Sequence, residues 1–200
     1  MMMSCRRAFL VLSAGALLAG CARGPAIRAM PSISFASPAT LPLDVAAITF
    51  VNAAADGAIA APARDVRFDL SEWPGNVVRR WSRERLRAAG DRGEARVILL
   101  ESRFVAVPLD TAGTLEGFFT DEQSVAYEGS LTVRIEIVDH PSGDGFAEAR
   151  SYRRQTVPES LSILEREETL HALFQDVVTA LDERLEAEMA DHLWSWIMRP

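Results

Sequence analysis

The 200-residue chain contains no lysine, so all 21 of its basic side chains are arginine. Cysteine occurs twice and histidine three times. His140 falls in a Pro/Gly turn, and His171 and His192 lie on one predicted helix, roughly 30 Å apart by helical rise, so those two cannot share a metal ion. No run of apolar residues reaches the roughly 20 needed to span a bilayer as a helix. Basic charge is also short: the formal net charge is −7. An acidic chain lacks the surface that phosphate contacts require, which excludes general nucleic-acid binding. The motifs H-E-x-x-H, G-x-S-x-G, the phosphate-binding Walker loop and the dinucleotide fingerprint are all absent. Most carboxylates fall on predicted wet faces, where solvation accounts for them. No catalytic residue, metal or cofactor is therefore expected, and neither is an enzyme. With 48% apolar residues the chain has enough material for a core.

The first 20 residues have the three parts of a secretory leader. Met1 to Arg7 ends in two positive charges, Ala8 to Leu18 is almost wholly apolar, and Leu18-Ala19-Gly20-Cys21 follows. This last segment resembles the lipobox of bacterial lipoproteins. The resemblance implies cleavage before Cys21 and a diacylglycerol on its thiol. Arg6 and Arg7 would leave with the leader and take no acid with them, so −7 becomes −9. Cys5 would leave too, so neither an intramolecular disulfide nor a cysteine metal site is expected. Ala22, rather than Asp, follows the Cys; in enteric-type sorting this resembles an outer-membrane signal. The expected location is the cell envelope, lipid-anchored, on the outer membrane facing the periplasm. Residues 21–42 are rich in Ala, Pro, Ser and Gly without sustained periodicity and read as a lipidated, flexible tether.

The remainder, 43–200, reads as a single domain. Leu43–Asn52 is predicted as a strand, Ala53–Ala63 as a loop, and Val66–Leu70 as a short strand or extended entry. Ser71 suits an N-cap and Pro74 a first turn, so a helix is expected to about Ala89, with Gly90 just past its end. Glu94–Val107 reads as a long strand ending at Pro108, and Asp110–Glu122 as a polar connection. Ser124–Val138 alternates: Val125, Tyr127, Gly129, Leu131, Val133, Ile135 and Ile137 share one face, and polar residues take the other. A turn at 140–145 leads into a more polar strand, Phe146–Thr156, expected at an edge. A final helix from about Ser160 to His192 carries Leu170, Leu173, Phe174, Val177, Val178, Leu181, Leu185, Met189 and Leu193 at spacings of three and four. Glu165, Glu167, Glu168, Asp176, Asp182, Glu183 and Glu186 are expected on its opposite, wet side. The fold class is α+β: a two-layer sandwich with a mainly antiparallel sheet of about four strands and two helices on one face.

Two features are candidate contact surfaces for a partner or lipid. Arg79, Arg80, Arg83, Arg85 and Arg87 make the first helix strongly basic. They serve either an anionic partner or, more simply, solvation and the helix macrodipole. Trp194 and Trp196 end the chain in an apolar register. They suit a partner pocket or membrane interface, or packing on the protein's own surface.

The lipobox and element order together resemble two families: the lipopolysaccharide-assembly lipoproteins (LptE-like) and the auxiliary lipoproteins of ABC-type transporters. Leu164-Glu165-Arg166-Glu167-Glu168-Thr169-Leu170, continuing to Leu185, is similar to the acidic final helix of the first. The likeness covers about 150 residues in outline and carries over no functional residue beyond Cys21. It implies a non-enzymatic accessory subunit of an envelope lipid or lipopolysaccharide transport or assembly system. The membrane would be reached through the acyl chains, and the partner would be a transporter subunit or an outer-membrane barrel. A small-ligand or lipid-binding lipoprotein and a stand-alone structural envelope lipoprotein are the alternatives.

Overall fold

The computed structural model describes residues 30–54, 59–109, 123–158 and 160–198. Seven strands and two helices follow one another: β1 (Leu41–Leu43), β2 (Ala47–Asn52), β3 (Arg64–Asp65), α1 (Pro74–Arg85), β4 (Leu86–Ala88), β5 (Glu94–Pro108), β6 (Gln123–Val138), β7 (Gly145–Pro158) and α2 (Ile163–His192). The main sheet has five strands in the order β2-β5-β6-β7, with β3 on the same side of β5 as β2. The β5-β6-β7 meander and β3 are antiparallel, whereas β2 runs parallel to β5. The sheet is thus mainly antiparallel with one parallel pair and has five strands against the expected four or so, and the α+β two-layer class stands. β1 and β4 form a small parallel pair of their own.

Local chemistry explains the elements. α2 opens with a capping box: the Ser162 hydroxyl accepts from the Glu165 N–H, and the Glu165 carboxylate accepts from the Ser162 N–H. The hydroxyl and N–H of Ser162 hold the Glu165 carboxyl below its ordinary range. Every residue of the expected α2 stripe is buried, and so are Tyr127, Leu131, Val133, Ile135 and Ile137 on β6. These two apolar periodicities face each other and make the core.

β5 turns Ala95, Val97 and Leu99, then Phe104 and Ala106, into the core, while Val105 is buried outside that cluster. The switch from odd to even positions occurs at a β-bulge between Leu99 and Glu101, whose extra residue turns the following side chains over. Phe104 then meets Phe174 of α2 edge-on, with ring centroids 5.2 Å apart. Gly129 lies opposite Phe104. A Cβ there would stand 2.6 Å from the Phe104 ring and 3.1 Å from Val177, which is why a strand otherwise rich in β-branched residues carries a glycine at this place.

The outer face of the sheet is a lattice of charges. Glu101 accepts from the Ser130 and Thr132 hydroxyls at 2.9 and 3.2 Å. Arg134 pairs with Glu148 at 2.7 Å and Glu136 at 3.4 Å. Glu128 lies between Arg103 and Arg154, at 3.4 and 3.5 Å. Each exposed pair contributes little by itself because water screens it, but together they leave these charges mutually occupied.

Two boundaries differ from expectation. α1 begins after Trp73 rather than Ser71 and ends at Arg85. Leu86 then turns extended to pair with Leu41. Gly90 is therefore no helix cap. It sits where a Cβ would come within 2.7 Å of the Asp44 backbone. The Val66–Leu70 segment is a single 3-10 turn, Arg67–Asp69, following β3. The loop over 53–63 is described only in part, and the polar connection 110–122 lies outside the described residues.

Candidate functional site

From residue 30 the expected tether is held down. Ile33 is buried, with its N–H donating to Glu72 Oε1 at 2.7 Å and its carbonyl accepting from Arg80 at 2.8 Å. The Gln175 side-chain amide pairs with both backbone groups of Ser34, at 2.9 and 2.8 Å. The Ser37 N–H donates to Asp182, and Thr40 donates to the Glu84 carbonyl. Residues 30–43 are thus a strap laid over the two helices. An anchor at Cys21 would leave only the chain before Met30 to bridge, a reach of at most about 30 Å. Cys21 itself lies outside the described residues.

Under the strap lies a charged group that the sequence reading placed in water. Asp182, expected on the wet side of α2, is buried. It accepts from Trp81 Nε1 at 2.7 Å and from Arg85 Nε at 2.9 Å, besides the Ser37 N–H. Arg85 is buried as well and reaches Glu186 at 2.6 Å. The signal was present in the sequence. Arg85 stands one turn after Trp81 on the apolar side of α1, and Asp182 stands one turn after Val178 on the α2 stripe.

The basic face of α1 is accordingly divided. Arg85 belongs to the core. Arg80 is committed to Glu72 at 3.1 Å and to the Phe35 ring, 5.0 Å away. Arg79, Arg83 and Arg87 are exposed, with no carboxylate in ion-pair range among the described residues. Arg79 and Arg83, one helical turn apart, rim a cleft of about 370 Å³ whose walls also include Ile48, Phe50, Ser82 and Leu86. The Arg79 guanidinium stacks over Phe50, 5.1 Å from the ring centroid, in a cation–π contact. The cleft therefore sets two guanidinium groups from α1, without carboxylate partners among the described residues, beside the side chains of Ile48, Phe50 and Leu86. On the opposite face of β2 Thr49 donates to Glu94 at 2.6 Å, tying β2 to β5, and this bond is the main reason the Glu94 carboxyl is held below its ordinary range.

The two tail tryptophans part company. Trp194 is 63% exposed and remains a contact candidate. Trp196 is buried and is corrected from partner contact to core: its Nε1 donates to His140 Nδ1 at 3.1 Å and its carbonyl accepts from Asp44 N–H. Ile197 bridges Leu43, and Met198 N–H donates to the Pro42 carbonyl, so the tail lies along β1 like an added strand. His171 is engaged with Ser71 at 2.8 Å. Among the described residues no group of His, Cys, Asp and Glu is arranged to hold a metal ion, and no helix is long and apolar enough to cross a membrane.

No protein-family model matches the sequence, and a search of curated proteins finds no relative. Among solved structures the chain is similar to the rare lipoprotein B from Shewanella oneidensis, at a TM-score of 0.40 and 13% identity, covering 72% of this chain and 94% of that one. It is also similar to a minor lipoprotein from Acinetobacter baumannii, at a TM-score of 0.37 and 15% identity, covering 80% and 100%. Likeness at this level leaves the function to the chain's own residues.

Proposed function

We propose that this chain is a lipid-anchored envelope lipoprotein, held through Cys21 on the outer membrane and facing the periplasm. In this reading it serves as a non-enzymatic accessory subunit of a lipid or lipopolysaccharide transport or assembly system. The observation that carries the reading is the Arg79/Arg83 cleft. In an acidic molecule whose sheet arginines are largely paired, Arg79 and Arg83 have no carboxylate partner among the described residues and stand beside Ile48, Phe50 and Leu86. Such a surface holds a partner rather than transforming a substrate. The strap supports the same reading, because a short reach from Cys21 keeps the domain near the bilayer, where envelope machines sit.

The test is purification of the full chain with its native anchor after mild crosslinking in cells. A transporter subunit or an outer-membrane barrel should be recovered in stoichiometric amount. Recovery should fall at least tenfold for the Arg79→Glu/Arg83→Glu variant. Recovery of neither class of protein overturns the reading.

A further inference from the structure

The two edges of the main sheet are built differently. β7, at one edge, carries Glu148, Arg150, Arg153 and Arg154, the charges that deter another strand from joining. β2, at the other, reads Ala-Ile-Thr-Phe-Val-Asn, with no charge, no proline and no bulge. Among the described residues its only strand partner is β5. Ala53 N–H donates to the Leu99 carbonyl. By the alternation of a parallel ladder, the backbone groups of Ile48, Phe50 and Asn52 therefore point away from β5. Among the described residues no hydrogen bond reaches them.

We infer that the bare edge of β2 takes up an extended acidic segment of a partner protein as an added strand. This deepens the reading of the chain as a partner-holding subunit and rests on it. On the helix-facing side of the added strand, apolar side chains settle against Ile48, Phe50 and Leu86, and carboxylates meet Arg79 and Arg83. The main-chain ladder supplies affinity, and the cleft selects side chains. Charge decides the occupant. A second copy pairing β2 to β2 would bring Arg79 and Arg83 of both copies to one cleft, like against like. An anionic bilayer pressed on the helical layer would meet the exposed carboxylates of α2, Glu167, Asp176 and Glu183 among them. An acidic strand meets neither repulsion.

The probe is a capped ten-residue peptide with threonine at every second place and valine and glutamate alternating between them. It is offered to the full chain in detergent micelles. Hydrogen exchange at the amides of Ile48, Phe50 and Asn52 should slow at least tenfold, while Thr49 and Val51 are protected with or without peptide. Binding read by fluorescence anisotropy should weaken at least tenfold for Arg79→Glu/Arg83→Glu. It should vanish for the same peptide with lysine in place of glutamate, and for one N-methylated at alternate backbone nitrogens. The inference is overturned if the acidic peptide fails to bind or the N-methylated peptide binds equally well. It is also overturned if the β2 amides are protected instead by raising the protein concentration or by phosphatidylglycerol vesicles. Peptide binding without a recovered transporter or barrel would sink the accessory role and leave the pairing. A recovered partner with no peptide binding would do the reverse.

Discussion

Asp182→Ala is expected to lower the unfolding free energy by about 3 kcal/mol or more, since breaking a buried ion pair by removing one partner leaves an uncompensated charge. Asp182 joins three elements at once: Trp81 and Arg85 of α1 and the strap at Ser37. Its loss strands the Arg85 guanidinium, which is 1% exposed. Glu186 remains as a second partner for Arg85, which places the expectation at the lower end of the about 3–5 kcal/mol typical of such losses. For a domain of this size the melting temperature should fall by roughly 6–12 °C. Asp182→Asn keeps an acceptor for Trp81 and removes the charge, so it should fall between wild type and Asp182→Ala. The double variant Arg85→Met/Asp182→Leu should recover most of the loss, because an apolar pair of similar volume replaces the ion pair without a stranded charge. Denaturant unfolding followed by circular dichroism measures all three. A change under 1 kcal/mol for Asp182→Ala would show that the strap and helices do not depend on this hub.

Phe174→Ala is expected to cost about 3–5 kcal/mol. The ring is fully buried at the centre of the contact between α2 and the sheet, edge-on to Phe104. Removing it loses the transfer energy of the ring and the edge contact, and leaves a cavity that Phe104 cannot fill, because the same ring is pressed against Gly129. Urea titration should show a lower midpoint with an unchanged slope. A loss near 1 kcal/mol would mean that the bulge in β5 lets Phe104 swing into the gap.

The parts of this fold that were legible in the sequence are those with an uninterrupted period. The α2 stripe repeats every three to four residues from Leu170 to Leu193, and β6 alternates from Val125 to Ile137. Each side chain is dictated by one face, so burial follows directly from position. The hidden parts have no period. Ile33 and Phe35 sit among Pro, Ser and Ala, and the strap is held mainly through its backbone, by Gln175, Glu72 and Arg80, which leaves no pattern to read. Leu86 looks like the next residue of a helix, and only its partner Leu41 draws it into a strand. Arg85 and Asp182 were read by residue type rather than by position, which is why a buried pair was taken for surface charge. The same reading overstated the α1 basic face, which keeps Arg79, Arg83 and Arg87 but loses Arg80 and Arg85 to internal partners. Trp194 and Trp196, two residues apart, could not be separated without the tail's pairing to β1.

The proposed anchorage at Cys21 is the central functional claim, and mass spectrometry of the intact mature protein tests it most directly. The account predicts an N-terminus at Cys21 carrying a diacylglycerol on sulfur, and a Cys21→Ser variant that leaves the membrane fraction. An unmodified Cys21, or an N-terminus generated elsewhere in the chain, would contradict it.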